Sequence, residues 1–255
     1  MERRNWTREE LILVFNLYCK LPFGQLNQRT TKVIKMAEVI GRTPSAVALK
    51  LVNFASFDPY HRNRGVKGMQ NAGKLDKEIF EEFSNNWTDL IYESEILLSQ
   101  KTSEITIEKI LNEETEITKR EGTEVIRSVK TRVNQNFFRT VVLGNYSNKC
   151  AVSGIDIAEL LIASHIIPWA ANEKERLNPA NGICLSSLYD KAFDKGLITL
   201  SDDFTLKLSS RLSKMSDKKA FNHFFEHYEN KMIKLPDKFL PKQEFLEFHR
   251  NNIFQ

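Results

Sequence analysis

One stretch, residues 163–198 with the sequence ASHIIPWAANEKERLNPANGICLSSLYDKAFDKGLI, limits what this chain can fold into more than any other. Its opening run is β-rich, and Pro168 confines the residue ahead of it to extended backbone. Further on, Asn178-Pro179-Ala180-Asn181-Gly182 is dense turn chemistry. A short apolar strand, Ile183-Cys184-Leu185, comes next. Ser186 or Ser187 can cap a short helix through Asp194, and Gly196 is placed to stop it. The expected order is strand, loop, strand, helix. It puts His165 on the first strand, Asn181 in the loop, and Asp190 and Asp194 on the helix.

Those residue types suit hydrolysis of a phosphodiester. A neutral imidazole takes a proton from water near neutral pH. A carboxylate on a short rigid helix can hold a hard divalent cation, which offsets charge on the phosphate and the departing oxygen. An asparagine side chain can tie a long loop together and so fix where the histidine points.

The stretch resembles the HNH family of ββα-metal nucleases, and within it the bacterial restriction-type branch that carries ASHIIPW, NPxNG and a following FDxGLI. His165 matches the first position of that pattern, Asn181 the second and Asp190 the third, where many relatives have histidine. The resemblance implies His165 as general base, Asn181 as loop-positioning residue and Asp190 as ligand of one divalent metal, Mg²⁺ or Mn²⁺. Many relatives carry an aspartate just before the first histidine as a second ligand; here that position is Ser164, a weak neutral ligand. Asp194 lies one helical turn beyond Asp190 and can face the same way, or it can cap the turn into Gly196. The segment RVNQNFFRTVVLGNY followed by CAVSG resembles the lead-in to this core, and Arg132 and Arg139 within it are candidates for phosphate contact or for ordinary solvated charge.

Composition narrows the setting. The 255 residues allow one large or two ordinary domains, and a hydrophobic fraction of 41% can build real cores. No run approaches the roughly 18 to 20 apolar residues of a membrane span, and MERRNWTREE is not an apolar signal segment. A soluble cytoplasmic protein is expected. Cys19, Cys150 and Cys184 are too few and too scattered for a disulfide framework or a zinc site. A net charge of +4 permits nucleic-acid binding without demanding it.

The first part of the chain reads as all-helical. Thr7 and Glu10 form a capping box ahead of a helix with Leu11, Val14, Phe15 and Tyr18 as its stripe. Residues 33–40 read as a helix ending at Gly41, and Thr43 with Pro44 starts another. This pair fits a helix-turn-helix and resembles bacterial trihelical DNA-binding domains; Ser45, Ala48, Leu49, Lys50 and Asn53 would then lie nearest a groove. The basic loop after it supplies Arg62 and Arg64 as phosphate contacts. Two helices that simply pack together are the competing reading. Leu75, Ile79, Phe83, Trp87 and Leu90 predict a long amphipathic helix.

The chain is therefore expected to be an α+β protein. A helix-turn-helix-like DNA-binding domain spans 1–98, a polar acidic linker 99–123, and an HNH nuclease domain with flanking helices 124–255. Double-stranded DNA is the expected partner, with no membrane, and a homodimer is expected if both strands are cut. Restriction or another defence role follows from the resemblance. The alternative is a DNA-binding regulator with a degenerate nuclease fold. A string His223-Phe224-Phe225-Glu226-His227 matches the HxxEH pattern of a metallopeptidase group, but its helix is expected to be a packing element.

Overall fold

The computed structural model describes residues 4–63, 65, 73–102 and 121–255, the side chains of 63 and 121–132 excepted. The chain divides into two compact units, Met1–Phe137 and Phe138–Gln255. Most of the expected linker, 103–120, lies outside the described residues, as do Arg64 and the side chain of Arg132.

The first unit is built on helix α1, Arg8–Lys20, which packs against α2 (Thr31–Ile40), α3 (Pro44–Phe57), α5 (Lys74–Phe83) and α6 (Trp87–Thr102). The short α4, Pro59–Asn63, follows α3. At the start of α1 the Thr7 hydroxyl accepts from the Glu10 N–H, and the Glu10 carboxylate accepts from the Thr7 N–H. The helix is more than the one-sided stripe its sequence suggests. Leu11 through Phe15, Tyr18 and Cys19 are all fully buried, which makes α1 the hydrophobic axis of the unit.

Between α2 and α3, Gly41 adopts φ 64°, the left-handed conformation a glycine tolerates, and its N–H closes the end of α2. Thr43 then caps α3, with Pro44 at its first position. The long helix predicted through Leu75 and Leu90 is two helices. Ser84, Asn85 and Asn86 interrupt it: Asn86 donates to Asp89 and Ser84 to the Phe80 carbonyl, so polar side chains compete with the helical ladder. Trp87 is buried, as core.

Helix α7 (Glu121–Asn145) begins in the first unit and ends in the second, where it leads to an antiparallel pair, β1 (Leu161–His165) and β2 (Gly182–Ser186), then to helix α8 (Ser187–Asp194) packed on both strands. The pairing register sets His165 opposite Gly182. A second hairpin follows, β3 (Ile198–Leu200) with β4 (Leu206–Leu208), then α9 (Lys218–Phe224) and α10 (Gln243–Asn252). Asp217 caps α9 through the Lys219 and Ala220 N–H groups. That helix stops at Phe224, and Glu226–Tyr228 is a separate 3₁₀ turn. His223 and His227 therefore do not share a helix face, which removes the metallopeptidase geometry.

Among the described residues the fold is thus mixed and helix-rich, with two small two-stranded sheets. No helix among the described residues is long and apolar enough to cross a membrane. Cys19, Cys150 and Cys184 are all buried, and no disulfide joins them.

Candidate active site

The geometry of the site begins with Asn181, which is 1% exposed at the end of the loop joining β1 to β2. Its backbone carbonyl accepts from the Ile166 N–H at 2.9 Å. Its side-chain Oδ1 accepts from the Ile167 N–H at 2.8 Å, and its Nδ2 donates to the carbonyls of Ile167 and Glu175 at 3.2 and 3.1 Å. One buried amide thus holds both ends of the intervening loop. Asn178 locks the same loop from beside it, accepting from the Ala180 N–H and donating to Glu175.

The loop held in this way presents the carbonyl of Arg176 to His165, whose Nε2 lies 2.9 Å from it. A carbonyl oxygen only accepts, so Nε2 carries the proton and the Nδ1 lone pair of the neutral ring is left to act as a base. The imidazole is stacked on Phe138 of α7, centroids 3.9 Å apart and planes 7° apart, and meets the edge of Trp169 at 5.5 Å. Ring orientation is therefore fixed on three sides. Burial pushes the His165 pKa below the ordinary histidine value, while the Arg176 carbonyl and the nearby Asp190 carboxylate act the other way. The net result favours the neutral, proton-accepting form.

Gly182, the ladder partner of His165, is where α7 crosses the strand. A methyl group there would lie 2.4 Å from Val142 Cγ2 and 3.0 Å from Phe138 Cζ. Glycine at 182 thus lets Val142 and Phe138 of α7 pack closely on the strand beside the histidine.

Asp190 and Asp194 lie one turn apart on α8. Asp190 is half-buried and Asp194 exposed. Although Asp194 reaches solvent, its carboxyl is partly desolvated, and this first, then the Asp190 charge, raises it above the ordinary value, against Lys191 and Lys195. Two carboxylates that repel each other, one of them also felt by His165, make a region where a cation is welcome. Ser164 is 2% exposed, and its Oγ has no hydrogen-bond partner among the described residues. Among those residues no three His, Cys, Asp or Glu side chains group closely enough to hold a metal alone. The donor set nevertheless fits a magnesium-type ion, which usually takes one or two carboxylates and completes its shell with water and substrate phosphate.

The second histidine of this kind is not a competitor. His249 stacks on Phe193 and donates from Nε2 to the Phe193 carbonyl at 3.1 Å, but its Nδ1 is taken by the Thr199 hydroxyl at 2.9 Å. With 1% exposure it cannot meet a substrate.

The residues expected to touch DNA fare unevenly. Lys50 is paired with the buried Asp76 at 2.7 Å, and Asn53, 3% exposed, donates to the same carboxylate at 2.9 Å. Both point into the first unit, so their expected place beside a groove is corrected: desolvated Asp76 needs them as partners. Arg139 donates to the carbonyls of Leu161 and Ala158 at 2.8 and 3.3 Å and braces the start of β1. Ser45 and Arg62 are exposed. Sequence reasoning missed Phe138, Trp169, Arg176 and Glu175 as site residues. The two aromatics stood in quoted motifs, whereas Arg176 and Glu175 act through backbone carbonyls that no side-chain pattern announces.

Residues 150–201 match the family model described as HNH endonuclease, which supports the HNH family and nuclease activity for this segment. No curated protein matches the chain.

Proposed function

We propose that the chain is a metal-dependent endonuclease that hydrolyses DNA phosphodiester bonds, with His165 as general base. The observation that carries this reading is the His165 Nε2 to Arg176 carbonyl bond, since it leaves Nδ1 as the basic nitrogen of a ring that feels the Asp190 carboxylate. In the reaction, Nδ1 takes a proton from the attacking water, and Asn181 keeps the loop carbonyl in place so that the ring does not rotate or change tautomer. Asp190 and Asp194 would hold one Mg²⁺ or Mn²⁺, with the Ser164 hydroxyl as a weak neutral ligand. When bound, that ion neutralises charge on the phosphate and on the departing 3′ oxygen. The products carry 5′-phosphate and 3′-hydroxyl ends, as the family resemblance implies.

Double-stranded DNA is the substrate in this reading, with the exposed Ser45 and Arg62 as contacts of the helix-turn-helix-like first unit. A cytoplasmic setting goes with that substrate. The restriction-type motifs ASHIIPW, NPxNG and FDxGLI support a restriction or other defence role. One site cuts one strand, so cleavage of both strands calls for a homodimer.

Supercoiled plasmid tests the reading. Incubation with purified protein and Mg²⁺ or Mn²⁺ is expected to give nicked circles, and EDTA is expected to stop it. Plasmid that is retarded on a gel but stays supercoiled under every metal condition would mark a DNA-binding regulator instead.

A further inference from the structure

We infer that the segment His249–Gln255 is a positioning element for the metal-binding end of α8, with His249 its principal residue; this rests on the site reading proposed above. Asp194 is the last residue of α8, and the carbonyls of Phe193 and Lys195 on either side of it, with that of Gly196, each receive a donor from this segment. His249 Nε2 donates to the Phe193 carbonyl at 3.1 Å, the Gln255 side chain to the Lys195 carbonyl at 3.2 Å, and the Gln255 N–H to the Gly196 carbonyl at 3.0 Å. Helix C-termini leave their last carbonyls without a full set of intrahelical partners; the Phe193 carbonyl already accepts from the Gly196 N–H at 2.9 Å, and His249 adds a second donor there, while Gln255 supplies the donors to Lys195 and Gly196.

Packing reinforces the hydrogen bonds. The His249 ring lies flat on the Phe193 ring, centroids 3.7 Å apart and planes 12° apart. Gly196 has φ 64°, and a Cβ there would sit 1.9 Å from the Ile253 carbonyl oxygen, so the segment passes directly over the residue that ends the helix. Thr199, on β3, engages the remaining ring nitrogen and holds His249 in the one orientation that serves Phe193. Residues flanking Asp194 on both sides are thereby fixed. The backbone on either side of Asp194 is thus held by His249 and Gln255 as well as by α8 itself. Partners that orient a metal ligand typically change metal affinity or activity by about 10- to 100-fold when removed.

The test is Mn²⁺ affinity, read by the electron paramagnetic resonance signal of free Mn²⁺, in wild type, His249→Leu, His249→Gln and Asp190→Asn. All are measured where circular dichroism shows full folding. His249→Leu is expected to weaken binding about tenfold or more. His249→Gln, whose amide can still donate to the Phe193 carbonyl, is expected to recover most of the loss, which a general loss of packing would not allow. Should His249→Leu fail to fold, Thr199→Val replaces it, with a smaller loss expected. Wild-type affinity in the folded His249→Leu or Thr199→Val protein, alongside loss of binding in Asp190→Asn, overturns the positioning role alone. Binding that survives Asp190→Asn overturns the site reading and the positioning role together.

Discussion

His165 and Asn181 act as one unit although their side chains do not touch. Asn181 holds the Glu175 carbonyl, and the next carbonyl along, that of Arg176, takes the His165 Nε2 proton. The asparagine thus anchors the residue just before the carbonyl that the His165 Nε2 meets.

Breaking that relay has a definite consequence. Asn181→Asp keeps the acceptor for the Ile167 N–H but sets a carboxylate against the carbonyls of Ile167 and Glu175. Each buried polar group left unsatisfied costs about 1–3 kcal/mol. Unfolding in urea should therefore show a loss of about 2–4 kcal/mol, and cleavage should fall even at temperatures where the variant is folded. A variant as stable and as active as wild type would show that the loop does not depend on this amide.

The close crossing at Gly182 predicts an overpacking effect. Gly182→Ala should destabilise the second unit by about 1–3 kcal/mol, because its methyl meets Val142 and Phe138. Adding Val142→Ala should recover part of that loss by making room. Thermal unfolding of the two single variants and the double variant measures the coupling.

Stability should fall in acid through His249. Burial holds its pKa down at about 4, with Arg250 contributing and the Phe193 carbonyl opposing. A histidine depressed on folding binds fewer protons in the native state than in the unfolded one, whose pKa is near 6.5. Its stabilisation is complete above about pH 6.5 and is lost as pH falls toward 4, by about 3 kcal/mol in all. Urea midpoints measured between pH 4 and 7 should slope upward, and less so in His249→Gln.

Much of the site was legible because its residues are close in sequence and its turns are chemically explicit. Asn-Pro-Ala-Asn-Gly can hardly be anything but a turn, and Gly196 ends α8 in the left-handed conformation expected of it. What escaped was long-range or carried by backbone. Lys50 and Asn53 look like groove-facing polar residues until Asp76, 26 positions after Lys50, is seen between them. The apolar spacing from Leu75 to Leu90 runs on through Ser84-Asn85-Asn86, so periodicity hid a break that side-chain hydrogen bonds make. The Arg176 carbonyl could belong to any residue type and leaves no trace in sequence.

The pH dependence of cleavage should report His165. Its depressed pKa means the base form prevails at neutral pH, so kcat/KM should rise with pH through a midpoint below 6.5 and level off. The same limb should be missing from whatever activity remains in His165→Ala.

The most direct measurement is the single-turnover cleavage rate of a pre-bound duplex by wild type and by His165→Ala, with DNA affinity measured in parallel. A general base of this kind contributes about 10²- to 10⁴-fold, so the variant should cut slower by that factor and bind DNA as tightly as before. A His165→Ala protein that cuts within about threefold of the wild-type rate, well short of that range, would contradict the account.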